Sequence, residues 1–175
     1  MKKNTIIFDL DGTLAIIEKR RIKAGSPTGL TPTKEKMDWN IFFDGKNIEL
    51  DEPNYPVISM AQMYYENGYN IVIFSGRNDR SYEETRQWLE EYEVPYNLLV
   101  MRPDKFKDKS WPIAAGNPAT PDMRFMPDEI LKKKMLETFV DIDDVFMTVD
   151  DRQKVVDMWR SLGLTCFQVA PGDFK

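Results

Sequence analysis

The sequence has no histidine, which removes every mechanism that needs a catalytic imidazole and every zinc centre built on imidazole ligands. It has one cysteine, Cys166, so no disulfide can form within the chain and no cysteine cluster can hold a metal. Long hydrophobic runs are also missing. After Met1-Lys2-Lys3-Asn4 only a short apolar stretch precedes Asp9, too little for a signal sequence or a spanning helix, and a soluble, cytoplasmic protein with no membrane association is expected. Positive charge is not in excess: 24 Lys and Arg against 29 Asp and Glu leave a net charge of −5, so a polyanionic ligand would have to meet a local basic patch. No repeat and no low-complexity tail is visible. What remains is 175 residues, 42% hydrophobic and 12% aromatic, enough for one folded domain over residues 1–175.

Along the chain, short apolar runs alternate with helical patterns. Thr5-Ile6-Ile7-Phe8 reads as a buried parallel strand that stops at an acidic, glycine-containing turn. From Pro53 the period changes to that of a helix, with Val57, Met60, Ala61 and Tyr64 on one face and Asn67-Gly68 at its end. Asn70 to Phe74 is a second strand, ending at Ser75-Gly76-Arg77. Ser81 and Glu84 have the spacing of a capping box before a helix that buries Thr85, Trp88, Leu89 and Tyr92. Asn97 to Met101 predicts a third strand, Asp128 to Phe139 a third helix, and Asp144 to Val149 a fourth strand running into Asp150-Asp151. A helix with Val155, Val156, Trp159 and Leu162 inward and a strand from Thr165 to Val169 complete the pattern, with Trp159 and Cys166 as core residues. Such alternation predicts an α/β fold with a parallel sheet covered on both faces, and ligands then sit beyond the carboxyl ends of the strands.

Two stretches break the alternation. Residues 15–52 hold the basic run Lys19-Arg20-Arg21-Ile22-Lys23 and then Trp39, Phe42 and Phe43; residues 102–127 are rich in Pro, Lys and Asp around Trp111. Each follows a strand on the ligand side, where long segments become caps or substrate walls. Arg20, Arg21, Lys105, Lys107 and Lys109 could line such walls with positive charge, and Trp39, Phe42 or Trp111 could stack on a base.

The chemistry concentrates at strand ends. Asp9 and Asp11, two residues apart, would face the same way on an extended chain, although an Asp-Gly turn of no further consequence gives the same pattern. Ser75 and Arg77 end the second strand, Asp150 and Asp151 the fourth, and a lysine-rich helix precedes that fourth strand. Four converging acids repel one another unless a hard cation is bound, and Mg²⁺ suits an oxygen site completed by water and substrate phosphate.

With that set assembled, the chain resembles the haloacid-dehalogenase-like (HAD) phosphatases, whose first motif matches Asp9-Leu10-Asp11-Gly12-Thr13-Leu14. It is similar, more closely, to the 3′-phosphatase modules of bacteriophage polynucleotide kinases. That similarity is carried by the segment from Gly68 to Arg77, by the segment from Val149 through Asp150-Asp151-Arg152 to Arg160, and by the C-terminal run from Gln168 to Phe174. The resemblance implies a three-layer, Rossmann-like α/β fold with small cap or loop insertions at 15–52 and 102–127. It implies Asp9 as nucleophile, Asp11 as general acid and then base, and Ser75 as a phosphoryl hydrogen-bond donor. It also implies a stabilising lysine, which matching Asp128-Glu129-Ile130-Leu131-Lys132 selects as Lys132 from Lys132, Lys133 and Lys134. Arg20, Arg77, Gly76 and Thr13 fall at substrate-binding positions, and Asp9, Asp11, Asp150 and Asp151 at metal positions, with Leu10 and Asp11 able to contribute backbone.

The implied activity is a Mg²⁺-dependent phosphomonoesterase that removes a 3′-phosphate from a polynucleotide end. A mononucleotide phosphatase of the same superfamily remains open, favoured by the acidic net charge, and so does a catalytically silent nucleotide-binding module. The substrate would be a nucleotide or a nucleic-acid 3′ end, with no obligatory protein partner. With the motif at residue 9, no Gly-Lys-Ser/Thr phosphate loop precedes it, and no 5′-kinase activity is expected. The stretch 30–52 matches the phage modules poorly and 102–127 is longer than theirs, so the walls of the site are where this chain differs.

Overall fold

Thr5–Phe8 forms β1, buried along its whole length and flanked by parallel strands on both sides. The computed structural model describes residues 3–25, 37–104, 109–111 and 118–171. Lys105, Lys107 and the segment Gly172-Asp173-Phe174 lie outside them. β1 pairs with β4 (Asn70–Asn78) and β6 (Val145–Asp150); β5 (Leu98–Arg102) pairs with β4, and β7 (Cys166–Gln168) with β6. The order β5-β4-β1-β6-β7 is parallel throughout, and the chain builds outward from β1 first in one direction and then in the other. The C-terminal end of β1 is therefore the switch point where such sheets open a crevice for ligands.

The period of two along β1 divides the core. Ile6 and Phe8 join a buried cluster with Val57, Ile58, Trp88 and Leu89, whereas Ile7 joins Leu131, Met135, Val155 and Trp159. The first group brings in α3 (Tyr55–Glu66) and α4 (Tyr82–Glu91), the second α5 (Asp128–Phe139) and α6 (Gln153–Ser161), one pair of helices on each face. This is the expected three-layer arrangement, with Trp159 and Cys166 both buried. Among the described residues no helix is long and apolar enough to cross a membrane.

Some local expectations change. Ser81 does not cap α4: its hydroxyl donates to the Asn78 carbonyl at 3.1 Å, because a 3₁₀ turn over Asp79–Ser81 leads into the helix and diverts the side chain. The basic run is not loop but helix α1 (Glu18–Lys23), with Arg20 and Arg21 buried. It follows β2 (Ala15–Ile16), which pairs antiparallel with β3 (Glu52–Pro53), and between them lie α2 (Trp39–Phe42) and a 3₁₀ turn over Gly45–Leu50. Short helices and a two-residue ribbon carry no periodicity long enough to read in sequence. Trp111 is no stacking surface; it is 1% exposed and packs its ring edge-on to Phe139 at 5.1 Å.

Candidate active site

Asp9 extends β1 by one step, its N–H donating to the Val149 carbonyl at 2.9 Å, and the chain then folds back on itself so that Ala15 N–H reaches the Leu10 carbonyl at 2.9 Å. Gly12 makes that turn possible. Its φ is +81°, a region L side chains avoid, and a Cβ there would fall inside the Asp151 carboxylate. Gly25 has nearly the same angle (+83°), with no atom of the described residues within 4 Å of a Cβ there. Gly12→Ala is accordingly expected to lower the melting temperature well beyond Gly25→Ala and to lose most activity, whereas equal shifts in the two variants would leave the Asp151 contact without a role.

The turn delivers Asp9 to the base of a cavity of about 490 Å³. Lys132 on α5, 2% exposed, donates to Asp9 Oδ1 at 2.7 Å and to Asp150 Oδ2 at 3.0 Å. Burial disfavours the ammonium, but the Asp150 and Asp9 charges outweigh it and raise the Lys132 pKa, so the amine stays charged. Thr13 Oγ1 donates to Asp9 Oδ2 at 2.9 Å. Asp150 and Asp151 leave the end of β6, where the Asp151 and Arg152 N–H groups donate to Asp150 Oδ1 at 2.9 and 3.3 Å. Trp159 directs its indole N–H at Asp150 Oδ2 from 3.5 Å, so this core residue also touches the site.

Asp9, Asp150 and Asp151 each offer a carboxylate oxygen within 4.8 Å of the others, a group that could hold a metal ion. Burial, with the Asp9 charge added, pushes the Asp150 carboxyl up to about 6 and that of Asp151 up to about 9. Three acids facing one ammonium are electrostatically unfinished.

The Asp11 carboxylate is not in that group. Arg20 Nη2 and Arg77 Nε donate to its Oδ1 at 2.6 and 2.8 Å, and both guanidiniums also grip Asp51, Arg20 through two bonds of 3.0 and 2.9 Å and Arg77 through one of 2.7 Å. Burial opposes ionisation of Asp11, yet the two cations hold its carboxyl down at about 2; at Asp51 burial wins and its carboxyl rises to about 6. Both are ionised at neutral pH. Arg20 further donates to the Phe42 carbonyl at 3.0 Å and lies over the Phe42 ring, while Arg77 reaches Thr85 Oγ1 at 3.1 Å.

The structure thus brings Asp9, Asp11, Gly76, Lys132, Asp150 and Asp151 to one cavity, and Thr13 directly behind Asp9. It does not bring Arg20 and Arg77 to the cavity wall. Both are fully buried in the ion-pair ring, and Arg21, also buried, and Lys109 are absent from the wall as well. Ser75 is buried beside the site, its Oγ accepting the Arg77 N–H at 3.1 Å.

Several functional positions escaped the sequence. Asp51 stands in no motif, and its partners are 31 and 26 positions away. Asp128 left a readable signal, four residues before Lys132 on the same helical face. Its carboxylate is gripped by Arg102 and, at 2.6 Å, by Arg152, and it sits against Gly76 where a Cβ would lie 2.7 Å from Oδ1. The cavity's cations include Arg80 and Arg124, both held by the buried Asp104 at 3.6 and 2.5 Å.

Comparison with known proteins adds to this geometry. The family described as polynucleotide kinase PNKP phosphatase domain matches residues 30–174. Two solved structures of a Pnkp1/Rnl/Hen1 complex, one described as an RNA repair complex, each contain a similar chain, at 29% identity and a TM-score of 0.70. In them 99% and 98% of this chain correspond to 48% and 44% of the other, so this chain spans about half the length of those neighbours. A haloacid dehalogenase-like family hydrolase from Streptococcus pneumoniae shares the fold at 14% identity and a TM-score of 0.59, over 94% of this chain and 83% of that one.

Proposed function

The chain belongs to the polynucleotide kinase PNKP phosphatase domain family, within the haloacid-dehalogenase-like phosphatases, and from that premise we propose that it is a Mg²⁺-dependent phosphomonoesterase that removes the 3′-phosphate from a polynucleotide end. The observation that carries the reading is Asp9, fixed by Lys132 and Thr13 at the base of a cavity that Asp11 also lines.

The donor set fits a hard divalent cation, because burial and mutual repulsion already drive Asp150 and Asp151 toward protonation when no cation offsets them. Asp9, Asp150 and Asp151 would hold the ion, with backbone at Asp11 in support; when bound it supplies charge neutralisation for the phosphoryl oxygens.

The protein's own groups then divide the work. An Asp9 oxygen attacks phosphorus, forming the aspartyl-phosphate as the bond from phosphorus to the sugar 3′-oxygen breaks. Asp11 protonates that departing oxygen, since an alkoxide leaves poorly at neutral pH. A phosphate ester beside Asp11 adds negative charge and raises its carboxyl from the low value set by Arg20 and Arg77, the direction that service as an acid requires. In the second half the Asp11 carboxylate takes a proton from the water that attacks phosphorus; inorganic phosphate leaves and Asp9 is restored. Lys132 faces the equatorial oxygens, and Ser75, whose lone pair serves the Arg77 N–H, has its O–H to donate. Arg20 and Arg77 act as positioning residues that aim Asp11.

Phosphate release should be compared on a 3′-phosphorylated oligonucleotide, its 5′-phosphorylated counterpart and nucleoside monophosphates. The 3′-phosphorylated oligonucleotide is expected to give the highest kcat/KM, and a preference for the monophosphates would overturn the polynucleotide assignment. Excess EDTA is expected to abolish turnover and Ca²⁺ to inhibit it, because Ca²⁺ prefers more ligands in a looser geometry. Full activity in EDTA would remove the metal from the mechanism.

A further inference from the structure

The cavity above Asp9 has an aromatic ring on each of the two segments that interrupt the regular fold. Trp39, at the start of α2, is half-exposed. One face of its indole stacks on Phe43, with centroids 5.4 Å apart and planes at 20°, and Phe42 meets it edge-on at 5.7 Å, so the ring is held in place with part of its surface open. Phe125 ends the 3₁₀ turn Pro121–Phe125 and lines the same cavity. It is 83% exposed, more than any other large apolar side chain among the described residues, and the Arg124 guanidinium lies over its ring at 5.0 Å. The Trp39 ring is backed by protein and open elsewhere, which lowers the ordering cost of receiving a flat partner, and the Phe125 ring stands open beside the Arg124 guanidinium.

The charge around these rings narrows the partner. Arg80 and Arg124 both pair with the buried acid Asp104, beside which lies a second buried acid, Asp79, and together with Lys154 they set cations into the lining of the cavity on a chain whose net charge is −5. Two flat apolar surfaces beside fixed cations, over a phosphate-cleaving floor, match a nucleotide with its neighbouring phosphate. A sugar phosphate would use the cations and leave the rings idle.

We propose that Trp39 and Phe125 take the terminal base of the 3′-phosphorylated nucleotide by stacking, while Arg80 and Arg124 take the adjoining backbone phosphate. This rests on the polynucleotide reading and deepens it. Every base has a flat face, so recognition through these rings is tolerant of sequence and dependent on the presence of a base.

The test uses the full chain on two 3′-phosphorylated oligonucleotides that differ only at the last residue, one with a base and one abasic, together with a nucleoside 3′-monophosphate. The native chain is expected to prefer the base-bearing end by roughly ten-fold or more in kcat/KM, mainly through KM. In Trp39→Ala or Phe125→Ala that preference collapses toward parity, and Trp39→Phe and Phe125→Tyr restore most of it. Phe125 is largely exposed and Trp39 half-exposed, and a melting curve for each variant separates lost stacking from damage to the fold. If the native chain shows no preference, or the alanine variants keep it, the stacking assignment is overturned while the polynucleotide reading stands. If the native chain acts on the monophosphate and not on the oligonucleotides, the polynucleotide reading fails; the alanine variants on the monophosphate then decide the stacking separately, a raised KM supporting it and an unchanged KM overturning it.

Discussion

Asp9→Asn is expected to lower phosphate release by about four orders of magnitude or more, the scale on which losing a covalent nucleophile acts, while the protein remains folded. The carboxamide has nearly the shape of the carboxylate. Its carbonyl can still accept from Lys132, and its NH₂ can donate to the Thr13 hydroxyl, which rotates to accept. The substitution also removes one of three mutually repelling acids, so the Asp151 carboxyl, raised by burial and then by Asp9, falls in pKa. The variant should therefore melt at or above the temperature of the metal-free native chain, and lose that advantage when Mg²⁺ is added. Release by purified D9N at close to the native rate would eliminate Asp9 as nucleophile. A melting temperature far below the native one would show that the loss reflects damage to the fold.

The second large effect is expected at Asp51, which no sequence motif marks. Its side chain is fully buried and binds both guanidiniums that aim Asp11. Asp51→Ala leaves two buried cations facing the one remaining carboxylate, and breaking a buried pair by removing one partner costs about 3–5 kcal/mol. In a chain of this size that corresponds to a fall in melting temperature of roughly 6–20 °C. Asp51→Asn keeps the shape and one acceptor and should cost less in stability. Its activity loss should nevertheless remain clear, because the weakened guanidinium grip no longer fixes Asp11. That loss should be largest for substrates with poor leaving groups, which depend on the proton from Asp11, and small for p-nitrophenyl phosphate, whose leaving group departs without one. Equal losses on both substrates would assign Asp51 to the fold alone.

How much of this was legible follows from where the information lies. β1, α5, α6 and the Asp9-to-Leu14 turn are local patterns, and sequence places them within a residue or so of their positions. Lys132 emerged from a run of three lysines only through family resemblance; what singles it out physically is that Lys132 alone of the three is buried, between Asp9 and Asp150. Arg20 was located, but at the cavity wall. Its burial depends on Asp51 and Phe42, supplied from further along the chain by a ribbon too short to leave a pattern. A basic lining was expected from Arg20, Arg21, Lys105, Lys107 and Lys109; of these, Arg20, Arg21 and Lys109 are not on the wall and Lys105 and Lys107 lie outside the described residues, while Arg80 and Arg124, from different segments, line it and meet at Asp104. Long-range ion pairs obey charge and burial, neither of which has a period to detect.

Arg20 makes hydrogen bonds to three separate stretches of chain at once, the Asp11 carboxylate, the Asp51 carboxylate and the Phe42 carbonyl. Phe42 closes the short helix that begins with Trp39. One planar cation thus braces the helix that carries the Trp39 ring against the Asp11 carboxyl, the two groups proposed above to meet a base and a leaving oxygen. In a nucleotide the corresponding span, from base to 3′-oxygen, is fixed by the sugar. Under the stacking proposal this brace would act as a gauge against which a substrate is measured, and a ligand whose span differs would not satisfy ring and acid together. Arg20→Lys would keep the charge and discard the gauge, because an ammonium lacks the planar fork that ties the three anchors at fixed angles.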